Sequence, residues 1–311
     1  MITLARHAMA TRFELVLHGP NPVKLRAAGE AALDEIERLE AQLSLYRPSS
    51  EIAHLNSRAA HEAVRVTPAV FTLLEQAQKL SRETNGAFDV TIAPLVHAWG
   101  FMGGTGRTPE PNEIEEARSR VGMHLVQLNP ADYTVRFLRE GVMIDLGAIG
   151  KGYAIDCAVE LLRETGVTSA LLHGGTSTIY AIGTPPDADA WSVAIESPAT
   201  AGQPIAQVLL RDESLSVSAI RGRSFEVAGK VFGHVIDSRS GFPVSGAELA
   251  AVILPSATET DALSTALLTL GLPGASQIAK LRPALRYLVA TREHEHFSIK
   301  SQGIEIQKSE H

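Results

Sequence analysis

The sequence predicts an α+β fold. Three observations carry this expectation. Residues before Gly86 hold two amphipathic helical patterns; after residue 141 short strand-like runs dominate; and only two helical segments interrupt those runs. The strict strand–helix alternation of a doubly wound parallel sheet is missing.

The elements follow in order. Phe13, Leu15 and Leu17 alternate with polar residues, which makes Thr11–Leu17 a strand. Leu25, Ala28, Ala32, Ile36, Leu39 and Leu43 recur at three- and four-residue steps, the mark of a long amphipathic helix. A second helix starts at Thr67-Pro68, a cap residue followed by proline in the first turn. It buries Val70, Leu73, Leu74, Ala77 and Leu80 and stops at Asn85-Gly86. Residues 101–118, rich in Gly, Pro, Thr and Glu, read as a surface excursion. Strand-like runs come next: Val142–Asp145, Ala170–His173, Trp191–Glu196, Gln207–Leu210, Leu215–Ser218, Val231–Ile236, Ala250–Leu254 and Arg286–Ala290. Helices fall at about 149–164 and 257–271. His294 and His296 sit in a charged strand or turn at the surface. No break in composition marks a boundary, so residues 1–311 are read as one domain.

Composition excludes several classes. Apolar residues are 45 % and charged residues 20 % of 311, ordinary usage for a folded chain. No run of about 18 apolar residues is free of charges or turn residues, so no spanning helix is expected. A net charge of −7 without a basic cluster is a poor match to a nucleic-acid backbone. The single cysteine, Cys157, excludes a disulfide framework and a Cys-rich metal site. Residues 1–13 contain no apolar export segment and no lipid-acceptor cysteine, which gives a cytoplasmic expectation.

Four segments carry candidate chemistry. In Ile144-Asp-Leu-Gly-Ala-Ile-Gly-Lys-Gly-Tyr-Ala-Ile-Asp156, a strand is expected to run through Gly147, Gly150 and Gly152 into a helix. Backbone N–H groups at such a helix start suit anions, and Lys151 adds a point charge suited to phosphate. The spacing matches neither a P-loop nor a dinucleotide fingerprint, and a tight turn with a solvated lysine explains it equally. In Asp261-Ala-Leu-Ser-Thr265 a carboxylate and a hydroxyl stand four residues apart on one helix face, with Ser264 beside them. These hard oxygens suit Mg²⁺; the plainer reading is a helix-start carboxylate and a threonine bonded back into its helix. His234, in Gly233-His-Val-Ile-Asp-Ser-Arg-Ser-Gly241, is either a general base at a strand edge or a structural histidine. Thr84-Asn-Gly-Ala-Phe-Asp-Val-Thr91 reads as a loop that presents Phe88 and Asp89, or one that packs Phe88 into the core.

Taken together and in order, these segments resemble the ApbE family, the FAD:protein FMN transferases. The resemblance spans about residues 7–272. It is carried by Met9-Ala-Thr11, Ser44-Leu-Tyr46 with Ser50-Glu-Ile-Ala-His-Leu-Asn56, Asn85-Gly-Ala-Phe-Asp-Val-Thr91, Asp145-Leu-Gly-Ala-Ile-Gly-Lys-Gly-Tyr153, His234-Val-Ile-Asp-Ser-Arg-Ser-Gly241 and Asp261-Ala-Leu-Ser-Thr265. The chain departs from the family pattern at Ala10, Val90, Gly150 and Ser238. The larger departure is Thr176, where many members carry an acidic or amide residue.

The resemblance implies a T-fold-like, ApbE-type architecture of mixed sheets flanked by helices. It implies FAD as substrate and Mg²⁺ as cofactor. FAD would be split to AMP, and FMN joined through a phosphoester to a Ser/Thr in the flavinylation motif of an acceptor flavoprotein. By the same resemblance Met9, Tyr46, Ala87, Phe88, Asp89, Asp145, Lys151 and Val235 would contact FAD. The Ala148 carbonyl, Asp261, Ser264 and Thr265 would hold Mg²⁺, and His234 would activate the acceptor hydroxyl. An FAD pyrophosphatase that passes FMN to water, and a non-catalytic FAD-binding protein, are the alternatives; Tyr46 favours transfer. The chain has no acceptor motif of its own.

Overall fold

The computed structural model describes every residue except 199, 201, 221, 223, 228, 294, 295 and 307–311. His294 therefore lies outside the described residues. Strands β1 (Ile2–Ala8) and β2 (Thr11–Leu17) precede helices α1 (Pro22–Leu43) and α2 (Glu51–Arg58). Then come β3 (Val64–Arg65), α3 (Pro68–Glu83), α4 (Ala93–Ala98), α5 (Pro111–Arg118), β4 (Val126–Asn129), β5 (Thr134–Phe137) and α6 (Gly150–Glu164). The remainder is β6 (Ala170–Gly174), β7 (Thr178–Ile182), β8 (Trp191–Glu196), β9 (Pro204–Leu210), β10 (Glu213–Ala219), β11 (Ser224–Val227), β12 (Lys230–Gly233), β13 (Leu249–Leu254), α7 (Ala257–Leu270), α8 (Leu272–Leu281), β14 (Arg286–Glu293) and β15 (His296–Gln302).

The α+β expectation holds. Eight strands form one sheet in the order β1-β2-β6-β7-β10-β13-β14-β15, and every pairing in it is antiparallel. Its interior strand β13 is buried at every residue. Ala250, Val252 and Leu254 belong to the core shared with the helices, while Leu249, Ala251 and Ile253 belong to a second core under the β8–β9 hairpin. The sheet thus separates two cores, and β13 between them is a continuous apolar run.

The helical layer places the site. α6 packs on α1 and α7, and α7 lies on β10 and β13. At Gly152 the two helices come so close that a Cβ would stand 2.1 Å from the Ala257 carbonyl oxygen and 2.8 Å from the Asp261 Cβ. Only glycine permits that approach. The carboxylate of Asp156, one turn further along α6, caps the start of α7. It accepts from the amides of Ala257 (2.8 Å) and Thr258 (2.9 Å) and from the hydroxyls of Ser256 (2.8 Å) and Thr258 (2.7 Å). These are the orphan donors of a helix N-terminus, and a negative group is favoured there.

Several expectations change. Val142–Asp145 is not a strand. Its backbone partners are a side chain and a loop: Asn56 bonds both backbone groups of Ile144, and the Asp145 amide donates to Val90 O at 2.7 Å. The excursion at 101–118 ends in α5 and buries Phe101, because Phe101 packs with Trp99 and Ile114 in a third core. Strand β12 stops at Gly233; beyond it Ile236 bridges Pro243 alone. Helices α2 and α8 and strand β1 were not anticipated. β1 alternates weakly in hydrophobicity, and α8 follows α7 at once through Gly271, whose φ of 64° ends the first helix. Among the described residues no helix is long and apolar enough to cross a membrane.

Asp156→Ala removes the cap of α7 and leaves two amides without their acceptor. The expected cost is about 2 kcal/mol of unfolding free energy. Urea titration of both proteins checks it; an unshifted midpoint would show that Ser256 alone caps the helix.

Candidate active site

A cleft of two adjoining lobes opens over α6 and α7. The larger, about 500 Å³, is bounded by the 87–89 loop, the start of α6, the end of β10, the chain from His234 to Ser238, and α7. The smaller, about 310 Å³, lies against the β1–β2 turn and the end of α1. Tyr46, Asp145, Gly147 and Lys151 belong to both. Ala87, Phe88, Asp89, Ala148, His234, Val235, Asp261 and Thr265 line the larger lobe; Met9 lines the smaller. Segments far apart in sequence therefore converge on one cavity.

Met9 and Ala10 form the two-residue turn between β1 and β2, both with positive φ (50° and 59°). A turn of this kind needs left-handed backbone at both positions, where glycine carries no steric cost. Ala10 thus holds a strained conformation. Tyr46 stands 62 % exposed at the mouth shared by the two lobes.

The amides of the glycines at the start of α6 already have acceptors within the chain. The Gly147 amide donates to Asp145 Oδ1 (2.8 Å), that of Gly150 to Leu146 O (2.7 Å), and that of Gly152 to Asp261 Oδ2 (3.0 Å). This corrects the expectation that these N–H groups await an anion. The positive charge on the cleft floor is the Lys151 ammonium, which donates to Gly147 O at 3.1 Å and lies 3.7 Å from Asp261 Oδ1.

Asp261 is 4 % exposed. The Gly152 amide holds its Oδ2, whereas among the described residues Oδ1 has only long contacts, to the Thr178 hydroxyl (3.4 Å) and Lys151 (3.7 Å). A carboxylate oxygen so loosely held in a buried place keeps capacity for a cation. Thr265 lines the cavity next to it; its hydroxyl donates to Asp261 O (3.3 Å) and lies 3.2 Å from Ser218 Oγ. Ser264 is fully buried behind the wall. Its hydroxyl donates to Asp261 O (3.0 Å) and meets Ser218 Oγ at 2.8 Å. Among the described residues no three His, Cys, Asp or Glu side chains gather into a ligand cage. The expected donors, one carboxylate, hydroxyls and the Ala148 carbonyl, are all hard oxygens, the kind suited to Mg²⁺, a cation that takes few protein oxygens and keeps room for water and phosphate.

Asp89 differs from Asp261. Its Oδ1 accepts from Thr91 N (2.8 Å) and Oγ1 (2.5 Å), and its Oδ2 from Ser81 Oγ (2.9 Å) and Met123 N (3.0 Å). The residue lines the cleft, but its carboxylate ties down the loop that carries Ala87 and Phe88. His234 is partly exposed and lines the larger lobe. It is fixed from both sides: Phe232 packs on Trp99 with ring centroids 5.4 Å apart, and Ile236 is buried in the third core. Trp99 is itself held by its indole N–H to Gly241 O (2.8 Å). Thr176 and Ser177 line the same lobe.

Thr178, Ser218 and Asp156 also support the site, beyond the residues that the motifs mark. Ser214, Ser216 and Ser218 point one way from β10, and their hydroxyls bond those of Thr178, Thr260, Ser264 and Thr265. The Ser-x-Ser-x-Ser alternation was the available signal for a polar strand face turned toward α7.

The cleft brings a loosely held carboxylate, a lysine and a histidine together, a set of charges suited to a phosphorylated ligand. The profile of the ApbE family matches residues 9–289, and the chain belongs to that family. The chain is 32 % identical to the FAD:protein FMN transferase of Treponema pallidum over 86 % of its length and 80 % of the relative's. It is 28 % identical to that of Haemophilus influenzae over 93 % and 86 %. The ApbE protein of Thermotoga maritima superposes with a TM-score of 0.87 at 26 % identity, covering 97 % of both chains. The apo flavinyl transferase ApbE of Pseudomonas stutzeri does so at 0.83 and 28 %, covering 96 % and 94 %.

His173, on the strand leading to Thr176, has its pKa lowered by burial against the opposing pull of Glu14. The unfolded chain then takes up this proton more readily. Stability falls as pH drops through about 6.5, the ordinary histidine value, and is fully present above it. In His173→Gln the loss of melting temperature between about pH 7.5 and pH 5.5 should be smaller than in the parent. Equal losses would place the acid sensitivity elsewhere.

Proposed function

We propose that this chain is an Mg²⁺-dependent FAD:protein FMN transferase, with residues 1–311 acting as one domain. The observation that supports it best is the placement of His234 in one lobe only, while Lys151 and Asp145 stand on the wall common to both. On this reading the pyrophosphate lies over the common wall beside Lys151. Met9 and Tyr46 contact the nucleotide at the mouth, and Ala87, Phe88 and Val235 border it in the larger lobe. Mg²⁺, when bound by Asp261, Thr265 and the Ala148 carbonyl, neutralises charge on the pyrophosphate. Ser264 supports that set from behind by bonding the Asp261 carbonyl.

The acceptor is a flavoprotein segment with a Ser/Thr hydroxyl. That hydroxyl has a pKa far above 7 and needs a base near neutrality, which imidazole supplies. Its oxygen attacks the phosphorus of the FMN half and a new P–O ester bond forms. The anhydride P–O bond breaks, AMP leaves with the electron pair, and His234 takes the hydroxyl proton. Lys151 stays beside the phosphates throughout as a fixed positive charge.

Incubation with FAD, Mg²⁺ and a candidate acceptor, followed by mass measurement, tests the reading. The acceptor should gain the mass of FMN less water, and AMP should appear. Free FMN with AMP and an unmodified acceptor would mean hydrolysis instead. FAD recovered intact would mean binding alone.

His234→Asn should bind FAD normally yet lose about 10²-fold or more in transfer rate, and the acid limb of the pH–rate profile should vanish. A matching fall in FAD affinity and melting temperature would reduce His234 to a structural role. Asp261→Asn should abolish transfer at limiting Mg²⁺ while circular dichroism stays native. Near-parent activity there would remove Asp261 from the metal set.

A further inference from the structure

We infer that Asn56 is a positioning residue for the cleft floor. It lies on α2, outside the cavity lining, and its carboxamide closes on the backbone of Ile144, 88 positions away. The amide nitrogen donates to Ile144 O (2.9 Å), and the oxygen accepts from Ile144 N (2.8 Å). This is the bond pattern by which one strand residue pairs another, supplied here by a side chain.

The clamp matters because Ile144 leads directly into the cleft floor. Asp145, Gly147 and Ala148 line the larger lobe within four residues of Ile144, and Lys151 comes one turn later. The segment 142–146 belongs to no strand, so no sheet neighbour fixes its register. Besides Asn56 it is anchored by the Asp145 amide on Val90 O, by Leu146 O, which accepts from the amides of Ile149 and Gly150, and by the buried side chains of Val142, Ile144 and Leu146. Apolar burial sets depth but is non-directional. The direction in which the next carbonyls point is set by hydrogen bonds, and at Ile144 both come from Asn56. On the proposed function, these carbonyls include the one offered to Mg²⁺, and Asp145 touches FAD. Asn56 therefore acts on metal and nucleotide through the backbone, without touching either.

The test uses the full chain and three variants. Asn56→Ala removes both bonds, Asn56→Asp keeps the acceptor and loses the donor, and Asn56→Gln keeps both groups on a longer arm. All are measured well below their melting temperatures, where the folded fraction is the same. Hydrogen exchange should speed up about tenfold or more at the Ile144 and Asp145 amides in Asn56→Ala, with α1 and β13 unchanged. The FAD dissociation constant and the Mg²⁺ concentration for half-maximal transfer should both rise about tenfold. Asn56→Asp should fall between this variant and the parent, and Asn56→Gln should recover part of the loss. A lowered melting temperature with unchanged exchange at 144–145, unchanged FAD affinity and unchanged Mg²⁺ requirement would overturn the inference and leave Asn56 a packing residue. The exchange measurement needs neither FAD nor activity. Faster exchange in the variant, with a parent protein that does not bind FAD, would support the clamp while sinking the functional reading.

Discussion

The contact between α6 and α7 determines the geometry of the cleft. Without a side chain at Gly152, the two helices approach until the Gly152 amide reaches the Asp261 carboxylate. The Asp156 carboxylate then takes the first amides of α7. These two interactions, one turn apart on α6, fix how far α7 slides and turns relative to α6. Lys151 and Asp145 belong to the α6 side, and Asp261 and Thr265 to α7. Their separation across the floor therefore follows from one backbone approach. Any side chain at position 152 would push the helices apart and separate the lysine from its carboxylate.

That approach carries an electrostatic cost. Burying Asp261 is unfavourable unless the charge is compensated. The Gly152 amide supplies one good hydrogen bond, while Lys151 and Thr178 contribute at longer range. Behind them Ser214, Ser216, Ser218, Thr260 and Ser264 fill the gap between β10 and α7 with hydroxyls where an apolar wall would otherwise lie. A hydroxyl can donate and accept at once, so such a layer satisfies itself without charge. The local dielectric stays polar around the one carboxylate that needs it, and the helix still seats against a sheet buried on both faces.

Most of this was legible in the sequence where the pattern is periodic. The face of α1 from Leu25 to Leu43 and that of α3 from Val70 to Leu80 were readable from three- and four-residue steps, and both are buried as expected. The segments that converge on the cleft were readable from their motifs. Two kinds of information were not. The Ile144 segment has the composition of a strand, and nothing local reveals that its partner is an asparagine side chain 88 positions away. Nor could the glycine run show that its amides would be spent inside the chain, because Asp145, Leu146 and Asp261 meet them only in the folded state. Long-range hydrogen bonds from side chains leave no period in the sequence.

Asp89 and Asp261 show why residue type alone does not settle a role. Both are aspartates in marked motifs, and both line the larger lobe. Asp89 has donors on both oxygens at 3.0 Å or less, from Ser81, Thr91 and Met123. A carboxylate so occupied must break good hydrogen bonds before it can bind anything else, and each bond to a charged group is worth about 1.5–3 kcal/mol. Among the described residues Asp261 has one such bond, and its Oδ1 contacts are both longer than 3.3 Å. A cation arriving at Oδ1 displaces little and gains a buried negative charge. The same arithmetic applies to Lys151, whose ammonium needs only shift between the Gly147 carbonyl and a ligand oxygen to change partners. In this cleft the groups that hold the protein together are the saturated ones, and the groups suited to a ligand are those the fold leaves partly unsatisfied.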